Sequence, residues 1–327
     1  MKLVRALALL AALTLSAPLA AQEPESHTPA AAADSTHAAV GTPQPAAQQA
    51  DIITPHITDA RYIEYPCWGG GTLVCEAHLP RWKPIHIGGL SIDLSPTKHV
   101  VMLLVAAALC CLLLITAARA HEKHTHAVGR PKGFAAGIEA MVLYIRNEVA
   151  IPNLGAHGEK FAPFILTLFF FILFANLLGL IPYGSTATGN ISVTATLALI
   201  TFVVVEIAGM RAQGLHYLGT IFYWNKDLPI VMRVVMFLVM SPVELIGKFT
   251  KPFALTIRLF ANMTAGHIVV LALIGLIFTF KSYAIGIAPA LMATAIMILE
   301  LFVAFLQAYI FALLSAVFIG LIREGGH

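Results

Sequence analysis

Arg258 stands in the stretch TIRLFANMTAGH, residues 256–267, with Lys251 before it and no further charge until Lys281. A guanidinium keeps its proton at any accessible pH, and a fixed cation near the centre of a bilayer costs about 3 kcal/mol or more. Such a residue needs a carboxylate or water. The plain alternative is a side chain that snorkels to the inner surface. Lys248 and Lys251 suit that role, but Arg258 lies about 10 Å further along a helix than Lys251. No acid follows it within its own segment, so the counter-charge is expected from another helix or another protein.

Other polar groups share this helix. Asn262, four residues on, occupies the same face as Arg258. His267, nine residues on, points to roughly the opposite side at 100° per residue. Glu300, Ala304 and Gln307 line one face of the last apolar segment, spaced four and three apart. Burial disfavours the charged forms of both a carboxyl and an imidazole, so His267 and Glu300 form a plausible proton relay. A static interhelical hydrogen bond is the simpler reading. Upstream, Asn176 lies late in its apolar run, and Asn190, Ser192, Thr194 and Thr196 open the next. These can hold a file of water, or can pack between helices. Glu206, near the inner end of that run, is either interfacial or part of an inner exit.

Metal and nucleotide chemistry find little support. The HEKHTH segment brings His121, His124 and His126 together, and three imidazoles can bind a metal, but a solvated juxtamembrane turn fits its surroundings better. No phosphate-cradling loop is present, so no cofactor is expected. Cys67 and Cys75 stand in YPCWGGGTLVCEAHLPRW, where a disulfide would close a small loop in an oxidising compartment; two free thiols are the other reading. Cys110 and Cys111 read as small side chains within an apolar segment.

The elements that must position these groups belong to a membrane. Hydrophobic residues make up 58% of the chain and charged residues 11%, about half the charge of a soluble domain. The net charge of +3 is small and its basic residues are scattered, so no nucleic-acid partner is expected. Residues 1–21 read as a signal peptide cleaved near Ala21, with an uncleaved anchor as the alternative because Leu19 replaces a second small residue. Residues 22–96 read as a periplasmic disordered tether and a small cysteine-containing segment. Residues 97–327 form the membrane domain.

Apolar runs at about 99–118, 161–182 and 191–210 each suit one crossing. Basic residues between the first two, against none in 182–190, place that first connection in the cytoplasm. Within it, FAAGIEAMVLYIRNEVAIP sets Ile138, Val142 and Ile145 on one side and Glu139, Arg146 and Glu148 elsewhere, the pattern of a helix lying on the inner surface. Residues 228–247 carry Arg233, Pro242 and Glu244 and read as a separate surface-hugging or steeply entering helix. The segments Thr250–Phe280 and the one after Pro289 exceed one upright crossing, the latter by about 20 Å, so they are expected to tilt strongly as an antiparallel pair joined near Lys281–Gly286. The fold expected is an all-α integral membrane protein. It has about five membrane-embedded helices plus a cytoplasmic amphipathic helix, with a periplasmic N-terminus and a cytoplasmic C-terminus.

SPVELIGKFTKPFALTIRLFANMTAGH together with ELFVAFLQAYIFALLSAVFIG resembles subunit a of the bacterial-type F-type ATP synthase, and FANLLGLIPYG with NISVT resembles that family's preceding helix pair. The resemblance spans about residues 97–322. It implies a non-catalytic, proton-translocating stator subunit of the bacterial inner membrane, with the ring of c subunits, the b stalk and the rest of the synthase as partners. It also implies that Arg258 faces the ring carboxylates, that Asn262 and Gln307 neighbour it, and that His267 and Glu300 are the titratable pair. Asn176 and Ser192 fall on outer water-channel positions. Gly179 departs from the pattern, since some members carry an aspartate there. A secondary transporter of a small anion is the rival reading, but it predicts an inverted repeat, and no internal symmetry is visible. An intramembrane metalloprotease needs paired ligands such as H-E-x-x-H, which the sequence lacks.

Overall fold

The computed structural model describes residues 59–66, 74–82, 85–87, 90–93, 95–125, 133–155, 158–181, 185–214, 217, 219, 229–280 and 283–324. The expected signal peptide, the tether as far as residue 58, Cys67 and the side chains of the HEKHTH histidines lie outside the described residues. Among the described residues, five helices are long and apolar enough to cross a membrane: α1 (Lys98–Thr125), α4 (Ala162–Gly179, extended by a 3-10 turn at Gly158–Phe161), α5 (Ile191–Gln213), α6 (Ile230–Phe280) and α7 (Tyr283–Glu324). The chain is an all-α integral membrane protein, and the three short crossings coincide with the apolar runs.

Between α1 and α4 lie α2 (Phe134–Tyr144), a π-helical turn (Ile145–Ala150) and α3 (Ile151–Leu154). Ile138 and Ile145 are buried while Arg146 and Glu148 are exposed, as an amphipathic surface helix requires. The π turn inserts one residue into the helical spacing and redirects the chain, so that α3 docks against α7. Gly320 makes this approach possible, because a Cβ there would lie 2.0 Å from the Asn153 carbonyl oxygen. Arg323 closes the contact by donating to the Leu154 carbonyl at 3.1 Å.

α4 is apolar on every side (APFILTLFFFILFANLLG), and a helix with no polar face must be central. It is the most enclosed of the five, packed by α1 and α7. α6 and α7 run antiparallel: Lys251 lies over Phe318, Asn262 bonds Gln307, and Gly266 meets Glu300. On α7, Ala304, Ala308, Ala312 and Ala316 are all buried, small residues of the kind that let helix backbones approach closely.

One feature differs from the sequence reading and one goes beyond it. Residues 230–247 are not a separate helix but the first turns of α6, which runs unbroken for 51 residues through Pro242 and Pro252. A proline removes one backbone hydrogen bond and crowds the preceding turn, and here the neighbouring turns carry the helix past it. At about 75 Å it is far longer than a bilayer core and must lie inclined or extend beyond it. Outside the membrane domain, two antiparallel hairpins, for which no expectation was drawn from sequence, occupy the cysteine-containing segment: β1 (Tyr62–Pro66) with β2 (Val74–His78), and β3 (Ile85–Ile87) with β4 (Leu90–Ile92). Cys75 is disulfide-bonded and stands opposite Tyr65 in the first hairpin.

Candidate functional site

The α6–α7 pair carries the chemistry, and the two helices present it on different sides. The buried stripe of α6, Ser241, Lys248, Leu255, Leu259, Met263 and Val270, recurs at helical spacing and faces the bundle. Arg258 falls off that stripe. It is exposed, and no carboxylate or hydrogen-bond acceptor among the described residues pairs with it. Its side chain borders a groove of about 500 Å³ that also reaches Gly247, Thr250, Lys251, Leu314 and Phe318. Around it the wall is apolar and open, with Phe253, Ile257, Leu299, Phe302 and Leu306 all exposed.

Asn262 lies on the Arg258 face as its spacing predicts, and its Nδ2 donates to Gln307 Oε1 at 3.1 Å. Gln307 itself is 2% exposed, so this bond both satisfies a buried amide and fixes the register of the two helices. Two turns deeper, Glu300 is 8% exposed, and its Oε1 is buried with no hydrogen-bond partner among the described residues. The carboxyl rests on Gly266, where an added Cβ would lie 1.9 Å from Oε1. The expected relay partner His267 is the next residue and is partly buried. Thr264 Oγ1 is a second buried oxygen without a partner among the described residues. Orphaned polar atoms at depth are costly unless they meet water or a proton, and an acid can accept either.

Asn176 is fully buried on α4. Its Oδ1 accepts from Thr188 Oγ1 at 2.7 Å, and its Nδ2 donates to the Ala304 carbonyl of α7 at 3.4 Å. Thr188 in turn lies 3.0 Å from Thr186 Oγ1. Gly179 admits this loop, since a Cβ there would stand 2.3 Å from the Thr186 Cβ; the packing accounts for glycine at the position. Ser192 lies in the first turn of α5, partly buried, its backbone N–H capped by Asn190 Oδ1 at 2.9 Å. Nothing in the geometry joins Ser192 to Asn176 directly.

At the other end, Glu206 of α5 meets Lys248 of α6 at 3.4 Å. Tyr217 donates to Glu206 and accepts from Lys248. Lys248 is therefore drawn into the bundle, 7% exposed, instead of reaching to the inner surface as its sequence position suggests. The ion pair compensates two charges whose separate burial would be costly.

The fold and site together define a multi-pass helical membrane protein that, among the described residues, leaves a cation uncompensated on an open wall and an acid unpaired behind it. The family model described as ATP synthase A chain matches residues 99–320. ATP synthase subunit a 2 of Chlorobaculum tepidum is 46% identical, covering 83% of this chain and 72% of the relative. ATP synthase subunit a of Chloroherpeton thalassium is 46% identical over 81% and 74%, and ATP synthase subunit a 2 of Chlorobium luteolum is 43% identical over 98% and 94%. The chain belongs to the ATP synthase subunit a family, and its role is that of a proton-translocating stator subunit.

Sequence reasoning missed Gly266, Thr188 and the Lys248–Tyr217 partners of Glu206. A glycine within a helix gives no periodic signal, and contacts between distant segments leave none. Only the type of Lys248, a basic residue within an apolar run, hinted at a partner.

Proposed function

We propose that Arg258 faces the acidic residues of a rotating ring of c subunits and that two offset proton paths meet the ring on either side of it. The single observation that carries this reading is Arg258 itself, exposed on an apolar wall with no acid beside it among the described residues. A ring carboxyl is stable in lipid when neutral and stable as a carboxylate beside a guanidinium. A proton arriving from outside through the neighbourhood of Asn176, Ser192, His267 and Glu300 neutralises that carboxylate, the ring steps, and the proton leaves on the inner side. The groove from Arg258 past Thr250 and Lys251 supports an inner path at that place. Glu206, tied to Lys248, fits a brace beside such an exit better than a carrier. The fixed charge of Arg258 bars a direct leak between the paths, so proton flow compels rotation.

In this reading the chain is non-catalytic, nucleotide chemistry belongs to other subunits, and the b stalk holds it against the turning ring. Its N-terminus is periplasmic and its C-terminus cytoplasmic in a bacterial inner membrane. Cysteine cross-linking in the assembled complex tests the wall. Ala261 is exposed and one turn from Arg258, whereas Leu259 is fully buried. A261C is expected to cross-link to cysteines placed on the ring, and L259C is not. Equal cross-linking from both, or from neither, contradicts the proposed face.

A further inference from the structure

Threonines on α4, α5, α6 and α7 bond their hydroxyls to the preceding helical turn. On α6, Thr250 donates to the Ile246 carbonyl at 2.8 Å and Thr256 to the Pro252 carbonyl at 2.9 Å. Thr167, Thr196, Thr201 and Thr294 do the same on the other three helices, the ordinary back-bond of a hydroxyl within a helix. Thr264 of α6 makes no such bond. Its Oγ1 is buried and has no hydrogen-bond partner among the described residues, and a hydroxyl left in that condition costs about 1–3 kcal/mol.

The hydroxyl faces the turn at Ala187–Gly189, which packs on α6. A Cβ on Gly189 would stand 4.0 Å from Thr264 Oγ1 and 2.9 Å from Thr186 Cγ2, so the turn offers a hydrogen where another residue would carry a methyl. Behind that glycine the turn is polar. Thr188, fully buried, donates to Asn176 Oδ1 at 2.7 Å and lies 3.0 Å from Thr186 Oγ1. On its other side, Thr264 leads round α6 to the acid. At 100° per residue, His267 lies about 60° from Thr264 around the helix axis, and Gly266 about 100° beyond His267. Glu300 rests on that glycine.

We propose that Thr264 holds a water molecule between α6 and the Ala187–Gly189 turn, and that this water is a step of the outer proton path, between the Asn176 side and the His267–Glu300 side. Water is the ligand that suits the place: the anchor is one neutral hydroxyl, no charge in the turn recognises an ion, and an apolar occupant would leave Oγ1 unpaired. Thr264 is a positioning residue. Its hydroxyl bonds the water and itself neither gains nor loses a proton. A proton arriving from the outer side makes the water a hydronium, which releases a different proton toward His267. One proton has entered and one has left. The water is neutral again, and its rotation at the hydroxyl restores the starting arrangement without carrying a charge back.

Thr264→Val separates this role from packing. Valine keeps the shape of threonine and exchanges the unpaired hydroxyl for a methyl, so a hydroxyl that only fills space predicts equal or higher thermal stability and unaltered proton flux. The water site predicts the same stability with flux lower by about tenfold. The measurement is ATP-driven proton pumping by the intact complex in membrane vesicles, per assembled complex. Thr264→Ser, which keeps the hydroxyl, is expected to pump within about twofold of the unaltered complex. Unaltered pumping in Thr264→Val, or an equal loss in Thr264→Val and Thr264→Ser, overturns the inference. If Thr264→Val does not assemble, Thr264→Ala against Thr264→Ser decides, since both lack the methyl and they differ by the hydroxyl. Slower pumping in Thr264→Ala supports the water site, and equal pumping overturns it. The inference rests on the outer path of the proposed function, and the two fail separately. An R258A complex that still pumps removes the ring-facing reading, whereas unaltered pumping in Thr264→Val beside an R258A complex that does not pump removes the water site alone.

Discussion

Glu300 shows how a single missing methyl can set the position of an acid. Its carboxyl occupies the space that a Cβ on residue 266 would fill, so Gly266→Ala must push it aside. The carboxyl is the far end of a flexible side chain, and the cost to stability is expected to stay within about 1 kcal/mol. Proton pumping is expected to fall about tenfold, because displacing a reacting group by an ångström is expensive in rate. Comparing the variant's thermal stability with its ATP-driven pumping checks both halves; unaltered pumping would contradict the placement. Arg258 and Glu300 were legible in the sequence because a charge in an apolar run has few explanations. Asn262 and Gln307 were legible from helical spacing, and they do share a bond. Gly266 was not, since its role exists only through a partner 34 positions away, and neither was the contact of His99 with Asp59 across 40 residues.

Elements were readable where one physical constraint dominated. A run of about 20 apolar residues has one reasonable use, and three crossings follow from it. Arg233, Pro242 and Glu244 misled because local composition there favours a separate surface helix, while the 51-residue α6 carries all three within one unbroken run. The external hairpins escaped notice because their strands are three to five residues long and are held by long-range pairs. Among these pairs are the Asp59–His99 contact and the Arg61–Asp93 bridge at 2.9 Å. Burial pushes the Asp59 carboxyl up, but the hydrogen bond and charge of His99 outweigh it and hold the group below its usual value. Hydrogen bonds from the Ser95 hydroxyl and backbone, with Arg61 adding to them, hold Asp93 low as well. Both folded values lie below the unfolded one, so the stability they add is present above about pH 4 and is lost as the pH falls through the folded values. Hydrogen exchange at β1 and β2 is therefore expected to accelerate on acidification below about pH 4. Protection that persists unaltered to about pH 2 would show that neither carboxylate holds the segment in place.

At the scale of the whole molecule, α4 forms an apolar centre while α6 and the first half of α7 present an open side. That asymmetry suits a wall against which something else turns. A self-contained transporter would enclose its cation and repeat its architecture, and neither feature is present among the described residues. Resemblance to a known family was legible because the charged and polar residues of α6 and α7 fall in a long, ordered pattern. The sequence could not reveal which of them face inward, because that depends on how two long helices cross. Arg258 is central as a cation that no acid among the described residues compensates. The most direct test is R258A in the assembled complex in membrane vesicles, with ATP-driven proton pumping and passive proton leak measured together. The account predicts that pumping is abolished and that passive proton leak rises. Pumping that continues without the guanidinium would contradict it.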